Sequence, residues 1–261
     1  MANKLAVITG ASTGIGFELA TCAARDGYDL ITVANESLIE AAARDLTQFG
    51  TKVEAVEADL SSIQGVDQLL AAVGDRPIDV LCANAGIGTG GAFLDQSVDT
   101  WRHAIDTNIT GTVYLLQKVL AGMVGRGQGQ VLVTGSIAGY IPGSFNAVYN
   151  ATKAFIDNFT EALRNELKDE DGITLTTLMP GPTDTEFFAR ADMLDTDVGS
   201  DPKKADPAKV AQDGWSALKS GRGHIVSGAK NKAQVLAAGV VPQAVLAERH
   251  RQMAEPGSGE E

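Results

Sequence analysis

Tyr149 and Lys153 stand four residues apart in Tyr-Asn-Ala-Thr-Lys, and Ser136 lies 13 residues upstream. On a helix that spacing puts tyrosine and lysine on one face. A phenol has a pKa of ~10 and is a poor base near neutrality. A nearby ammonium favours the phenolate and lowers that value. Tyr149 then has the chemistry to give a proton to a carbonyl oxygen or take one from an alcohol. Ser136 would donate to the same oxygen as charge develops on it. Alone, the first two read as a helix-surface pair and the third as a turn residue. The glycine loop Thr9-Gly10-Ala11-Ser12-Thr13-Gly14-Ile15-Gly16 changes the balance. It follows an apolar run and opens a helical stretch, where backbone N–H groups can approach a pyrophosphate at the positive helix end. Its order is Gly-x-x-x-Gly-x-Gly, not the more common Gly-x-Gly-x-x-Gly. Loop and triplet in one chain imply a held dinucleotide, with a hydride and a proton moving between it and a carbonyl or alcohol.

The elements that would position these residues alternate. Strand-like runs fall at 5–9, 28–34, 53–58, 78–83, 131–134, 173–179 and 224–227. Helical patterns run to about Asp26 and over 37–49, 63–73, 98–108, onward to Met123, 149–167 and 207–219. Such alternation predicts right-handed βαβ crossovers and a parallel sheet with helices on both faces. Residues 184–206 are acidic and polar without a long pattern. Residues 233–253 are Ala/Val/Leu-rich and partly helical, with Pro242 breaking the stretch or starting its second half, and 255–261 read as a frayed, flexible tail.

Composition narrows the class. The 261 residues are 44% hydrophobic and 21% charged, as in a globular enzyme, and one domain over 1–254 is expected. A net charge of −12 argues against a nucleic-acid surface and against docking on anionic membranes. No apolar run approaches a membrane span, and the N-terminus does not read as a signal peptide. Cys22 and Cys82 sit in apolar segments outside any Cys-x-x-Cys, and His103, His224 and His250 are scattered. These point to reduced thiols, a cytoplasmic protein and no metal site.

The motifs Thr9-Gly10-x-x-x-Gly14-x-Gly16, Asp59-Leu60, Asn84-Ala85-Gly86, Asn108, Ser136, Tyr149-x-x-x-Lys153 and Pro180-Gly181 occur in an order and spacing that resemble the short-chain dehydrogenase/reductases. The match covers about residues 4–185 and is specific as a joint pattern. The resemblance implies a Rossmann-like, doubly wound α/β fold with about seven parallel strands and NAD(P)-dependent oxidoreduction. It implies that Asn108 holds a water of the proton relay and that Lys153 also contacts the nicotinamide ribose. Gly10, Ser12, Thr13, Gly14, Ile15 and Gly16 would cradle the phosphates. Asp59 and Leu60 would meet the adenine. Asn84, Ala85 and Gly86 would border the adenosine ribose, and Pro180, Gly181, Thr183 and Thr185 the carboxamide. Asp59 also reads as a strand-end cap, and 180–185 as a plain turn. Ala83 stands where many members have a second Asn, and Thr183 where an aliphatic residue is usual.

The second strand ends Val33-Ala34-Asn35-Glu36. Neither the acid of NAD enzymes nor the Arg of NADP enzymes falls at the usual place. Asn35 and Glu36 come next, the loops lack a basic residue, and Glu36 would repel a 2′-phosphate, so NAD(H) is favoured. The substrate is a small ketone, aldehyde or alcohol. Its pocket would be bordered by Gly139, Tyr140, Ile141, Phe145, Phe187, Phe188 and Met193, residues that read equally well as core. A homo-oligomer, dimer or tetramer, is expected from apolar residues on several faces of the helices at 105–123 and 149–167. The end of the chain departs from the family's common C-terminal segment. A non-catalytic dinucleotide-binding regulator on the same fold is the alternative, and a dehydratase or epimerase a third reading.

Overall fold

The computed structural model describes residues 3–260. Among them, seven strands form one parallel sheet: β1 Leu5–Thr9, β2 Asp29–Ala34, β3 Val53–Glu57, β4 Val80–Ala83, β5 Gly129–Thr134, β6 Ile173–Met179 and β7 His224–Val226. Their order is β3-β2-β1-β4-β5-β6-β7. Val7 pairs with Ile31 on one side and with Leu81 on the other. The inner strands are continuous apolar runs because both faces are covered. Alternate residues go to opposite faces: Leu5 and Val7 join one core, Ala6 and Ile8 the other.

The helices are α1 Gly14–Arg25, α2 Leu38–Leu46, α3 Ile63–Val73, α4 Val98–Ile105, α5 Thr112–Arg126, α6 Ala147–Glu166, α7 Phe187–Arg190, α8 Asp197–Ser200, α9 Pro207–Lys219, α10 Ala229–Ala238 and α11 Gln243–Ala254. Val66 and Leu69 of α3, Leu116 and Val119 of α5 and Ile156 of α6 cover one face. Leu19 of α1, Ile39 of α2 and Leu218 of α9 cover the other. On that side the Trp215 indole N–H donates to Asp26 Oδ2 at 2.8 Å and the ring meets Tyr28 edge-on. The order of strands reverses between β1 and β4, the switch point where ligands bind in such sheets.

Four features differ from the sequence expectation. A π-helical turn, Asp106–Gly111, joins α4 to α5, so the two helices run on without a break. Residues 184–206 contain α7 and α8, and their Phe188, Ala191 and Met193 are buried with Ala254 of α11 in a third small core. Residues 257–259 are tied back to the fold: Gly257 N–H donates to Asp195 Oδ2 at 2.8 Å, Gly259 N–H to Asp195 O at 2.9 Å, and Asp197 N–H to Ser258 Oγ at 3.0 Å. The surplus apolar face of α5 is smaller than its composition suggests, because Leu115, Leu116, Val119 and Leu120 pack inward with Ile156. Phe155 stays 42% exposed and stacks on Phe159 at 5.8 Å.

Candidate active site

At the switch point, Thr13 is the N-cap of α1 but makes no side-chain cap bond, so the first amides of the helix are open to a ligand. The loop must be tight. A Cβ on Gly16 would stand 1.9 Å from Gly10 O, so only glycine fits there. The loop is tied to its neighbours through one threonine and one asparagine. Thr9 Oγ1 accepts from the Asn84 and Ala85 amides at 2.9 and 2.8 Å. Asn84 Nδ2 donates to Thr9 O at 3.1 Å, and Thr134 Oγ1 donates to Asn84 Oδ1 at 3.0 Å. Asn84 therefore stitches the ends of β1, β4 and β5. Each bond is worth about 1 kcal/mol net, more where its loss strands a buried partner.

One cavity of about 270 Å³ runs from the glycine loop past the ends of β4 and β5. It is lined by Gly10, Ser12, Thr13, Gly14, Ile15, Gly16, Asn35, Asp59, Leu60, Asn84, Ala85 and Gly86, and farther along by Ser136, Tyr149, Lys153, Pro180, Gly181, Thr183 and Thr185. Of the predicted catalytic and cofactor residues, Asn108 and Glu36 stand off its wall, as do Gly139, Tyr140 and Phe145 among the expected pocket residues. Asn108 lies behind it in the π-helical turn: Oδ1 accepts from the Ile87 amide at 2.9 Å, and Nδ2 donates to Ile87 O and Thr152 Oγ1, both at 2.9 Å. Its side chain is thus a brace for the β4 exit. Asp59 lines the cavity while its Oδ1 accepts from the Ser61 amide at 2.9 Å; the cap of α3 is Ser62. Thr185 presses its methyl on Gly14, and Thr183 Oγ1 turns back to Gly181 O at 2.9 Å.

Lys153 is buried, donates to Thr134 O at 2.8 Å and lies 5.8 Å from the centre of the Tyr149 ring. Ser136 Oγ caps the following turn by accepting from the Ala138 amide at 3.1 Å. The expected lowering of the Tyr149 pKa by Lys153 is not what the geometry gives. Burial dominates and pushes the phenol up to about 12, with the Ser136 hydroxyl opposing and the Asp157 charge adding to the rise. Burial also pulls Lys153 down to about 8, so its charge is marginal at mildly alkaline pH.

Glu36 is not a lone charge. Ser12 Oγ donates to its Oε1 at 2.5 Å, and Arg190 Nη2 of α7 donates to the same oxygen at 2.9 Å. Partial burial raises its proton affinity, but these two bonds outweigh burial and hold it below the ordinary value. A basic side chain therefore does reach the end of β2, from a segment more than 150 residues away.

On the far wall stand expected pocket residues, Phe187, Phe188 and Met193, and beside them residues that no motif marks. There Phe187 packs on Tyr149 with ring centres 5.0 Å apart, and Phe188 and Met193 lie beside it. Gln234, His250 and Met253 of α10 and α11 close the cavity. His250 is buried; its Nδ1–H donates to Ser144 O at 2.8 Å, and burial holds it towards the neutral form. Phe145 takes a left-handed φ of 61°, which a non-glycine residue holds only when its surroundings enforce it.

Fold and site together define a Rossmann-type dinucleotide fold with a Ser/Tyr/Lys cluster at its switch point. The short chain dehydrogenase family matches residues 4–193, and the chain belongs to that family. An uncharacterised oxidoreductase of Staphylococcus epidermidis is 35% identical over 193 residues, 73% of this chain and 82% of the relative. A short-chain dehydrogenase from Sphingobium yanoikuyae, solved in complex with NADPH, superposes with a TM-score of 0.80 at 28% identity, covering 92% of this chain and 97% of that one. A bulky-bulky ketone specific alcohol dehydrogenase from Comamonas testosteroni gives 0.77 at 25% identity, over 95% and 99%. Among the described residues, no helix is long and apolar enough to cross a membrane.

Proposed function

We propose that the protein is an NAD(P)-dependent oxidoreductase that interconverts a ketone or aldehyde and an alcohol. The observation that carries this is one continuous cavity, with an open helix N-terminus and tight glycine loop at one end and Ser136, Tyr149 and Lys153 at the other. The glycine loop fits a dinucleotide, because Gly16 lets the loop fold tightly over the first turn of α1 and the α1 amides are uncapped. The bound nicotinamide would supply or accept the hydride. Tyr149 gives the proton to the carbonyl oxygen, or takes it from the alcohol, and Ser136 donates to that oxygen. Lys153, anchored on Thr134 O, would hold the cofactor ribose and supply positive charge beside Tyr149. Asn108 keeps the Ile87 backbone in register behind them.

Phe187, Phe188 and Met193 favour a substrate with an apolar body. NAD(H) remains the preferred cofactor in this reading, since Glu36 is ionised at the end of β2, although its pairing with Arg190 narrows the margin. The free thiols of Cys22 and Cys82 fit a reducing, cytoplasmic setting. The test is a panel of ketones, aldehydes and secondary alcohols with both cofactors, followed by nicotinamide absorbance. Cofactor binding without turnover of any member would favour the non-catalytic regulator.

A further inference from the structure

Asp157 stands one turn beyond Lys153, so Tyr149, Lys153 and Asp157 form a single row along α6. Its carboxylate turns inward, against the backbone that leaves β5. A Cβ on Gly135 would lie 1.7 Å from Asp157 Oδ1, and one on Gly139 2.6 Å from Oδ2. The carboxylate therefore rests on two glycines that flank Ser136. Both oxygens are closed to solvent and neither has a hydrogen-bond partner. The Ser136 amide lies on that side but outside bonding geometry. Such an acid must either carry a proton or answer a nearby cation.

The groups that face it are few. Lys153 and Tyr149 share its helix, and Tyr140 comes from the turn after β5. Glu161, a turn further along α6, acts on Tyr140. Thr177 of β6 closes the Gly135 side without a charge. Among the described residues, Lys153 is the cation that acts on Asp157. Resting on the reading of Tyr149 as acid and base, we propose that Asp157 is a positioning residue whose negative charge, one helical turn from Lys153, sets the pH at which that lysine is charged beside Tyr149.

The directions agree with the placement. Burial pushes Asp157 up to about 7 while the Lys153 charge pulls it down. Burial pulls Lys153 down to about 8 while the Asp157 charge pulls it up. In Asp157→Asn the shape is kept and the attraction is lost, so burial acts on Lys153 unopposed and its proton leaves at lower pH.

Two readouts test this. With ¹³C-labelled lysine, the Lys153 midpoint is expected to fall by about one pH unit in Asp157→Asn, a tenfold change in proton affinity. The limb of the pH–rate profile set by Lys153 should fall with it. An unmoved lysine midpoint overturns the proposal, and so does a moved midpoint with an unmoved rate profile. If Asp157→Asn does not fold, Lys153→Met with ¹³C-labelled aspartate replaces it. Asp157 should then titrate higher, and an unchanged midpoint overturns the coupling. If no substrate turns over, the proposed reaction fails separately: the lysine titration still reads the pair, and ultraviolet titration of the Tyr149 phenol, against Tyr149→Phe, reads the second effect. That phenol should titrate lower in Asp157→Asn, and an unmoved phenol overturns the proposal.

Discussion

At the residue scale, the proposed chemistry rests on Tyr149, which lines the cavity with Ser136 and Lys153. Tyr149→Phe keeps the ring on Phe187 and removes the proton. Turnover should fall by about 10²–10⁴-fold, as for loss of a general acid, with the cofactor dissociation constant unchanged. Rates and a cofactor titration check this, and a variant that keeps most of its activity would sink the role of Tyr149. In the proposed reading, cofactor choice is made at the Glu36–Arg190 pair. Glu36→Gln removes a fixed negative charge, leaves Arg190 free, and should raise the NADP(H)-to-NAD(H) ratio of specificity constants about tenfold, some 1.4 kcal/mol. Arg190→Ala should lower that ratio. If neither variant moves it, the end of β2 does not read the ribose. Glu36 was legible because it closes an apolar run. Arg190 was not, because its arrival depends on a fold-back that no local pattern records.

At the element scale, the short helices α7 and α8 hold their place through the small core they share with α11, where Ala254 is fully buried against Phe188 and Met193. Ala254→Phe overpacks that core, at a cost of about 1–3 kcal/mol. Because the core lies under the substrate wall, KM should rise more than kcat falls, and thermal melting should show a modest loss. An unchanged KM would mean that α11 is no part of the pocket. Strands and long helices were readable from apolar runs and Gly/Pro punctuation; the patterns at 63–73, 173–179 and 207–219 coincide with α3, β6 and α9. Two kinds of feature were not. A four-residue helix has too few positions to show a period, and the return of α11 onto the cavity is a long-range choice made by packing. Asp157 lay in plain view at the helical spacing of Tyr149 and Lys153, but its meaning depends on two glycines that come from another element.

At the scale of the whole molecule, the exposed Phe155–Phe159 stack is what remains of the apolar surplus once α5 has turned its leucines inward. We expect α6 to meet a second copy through it. Light scattering over a range of concentrations should give at least a dimer, and Phe155→Glu should shift it toward monomer. A monomer throughout would refute the expectation. The Rossmann-like architecture itself was legible because each βαβ unit announces itself locally and handedness does the rest. The assembly was not, since apolar residues on a helix do not say which neighbour they meet.

Cys82 lies at the centre of the sheet, on β4 between β1 and β5, fully buried and with its thiol pushed far up by burial. Cys22 on α1 is only partly covered, and burial raises it to about 11. The pair makes a built-in clock. A thiol reagent reaches Cys82 only when the sheet parts, so its labelling rate counts the openings of the whole fold, while Cys22 counts local loosening of one helix. A cofactor that binds only the folded form, at a hundred times its dissociation constant, should slow the first count about a hundredfold, some 2.7 kcal/mol. The second should slow far less. Equal slowing of both would mean that α1 never loosens on its own, and that glycine loop and sheet open as one body.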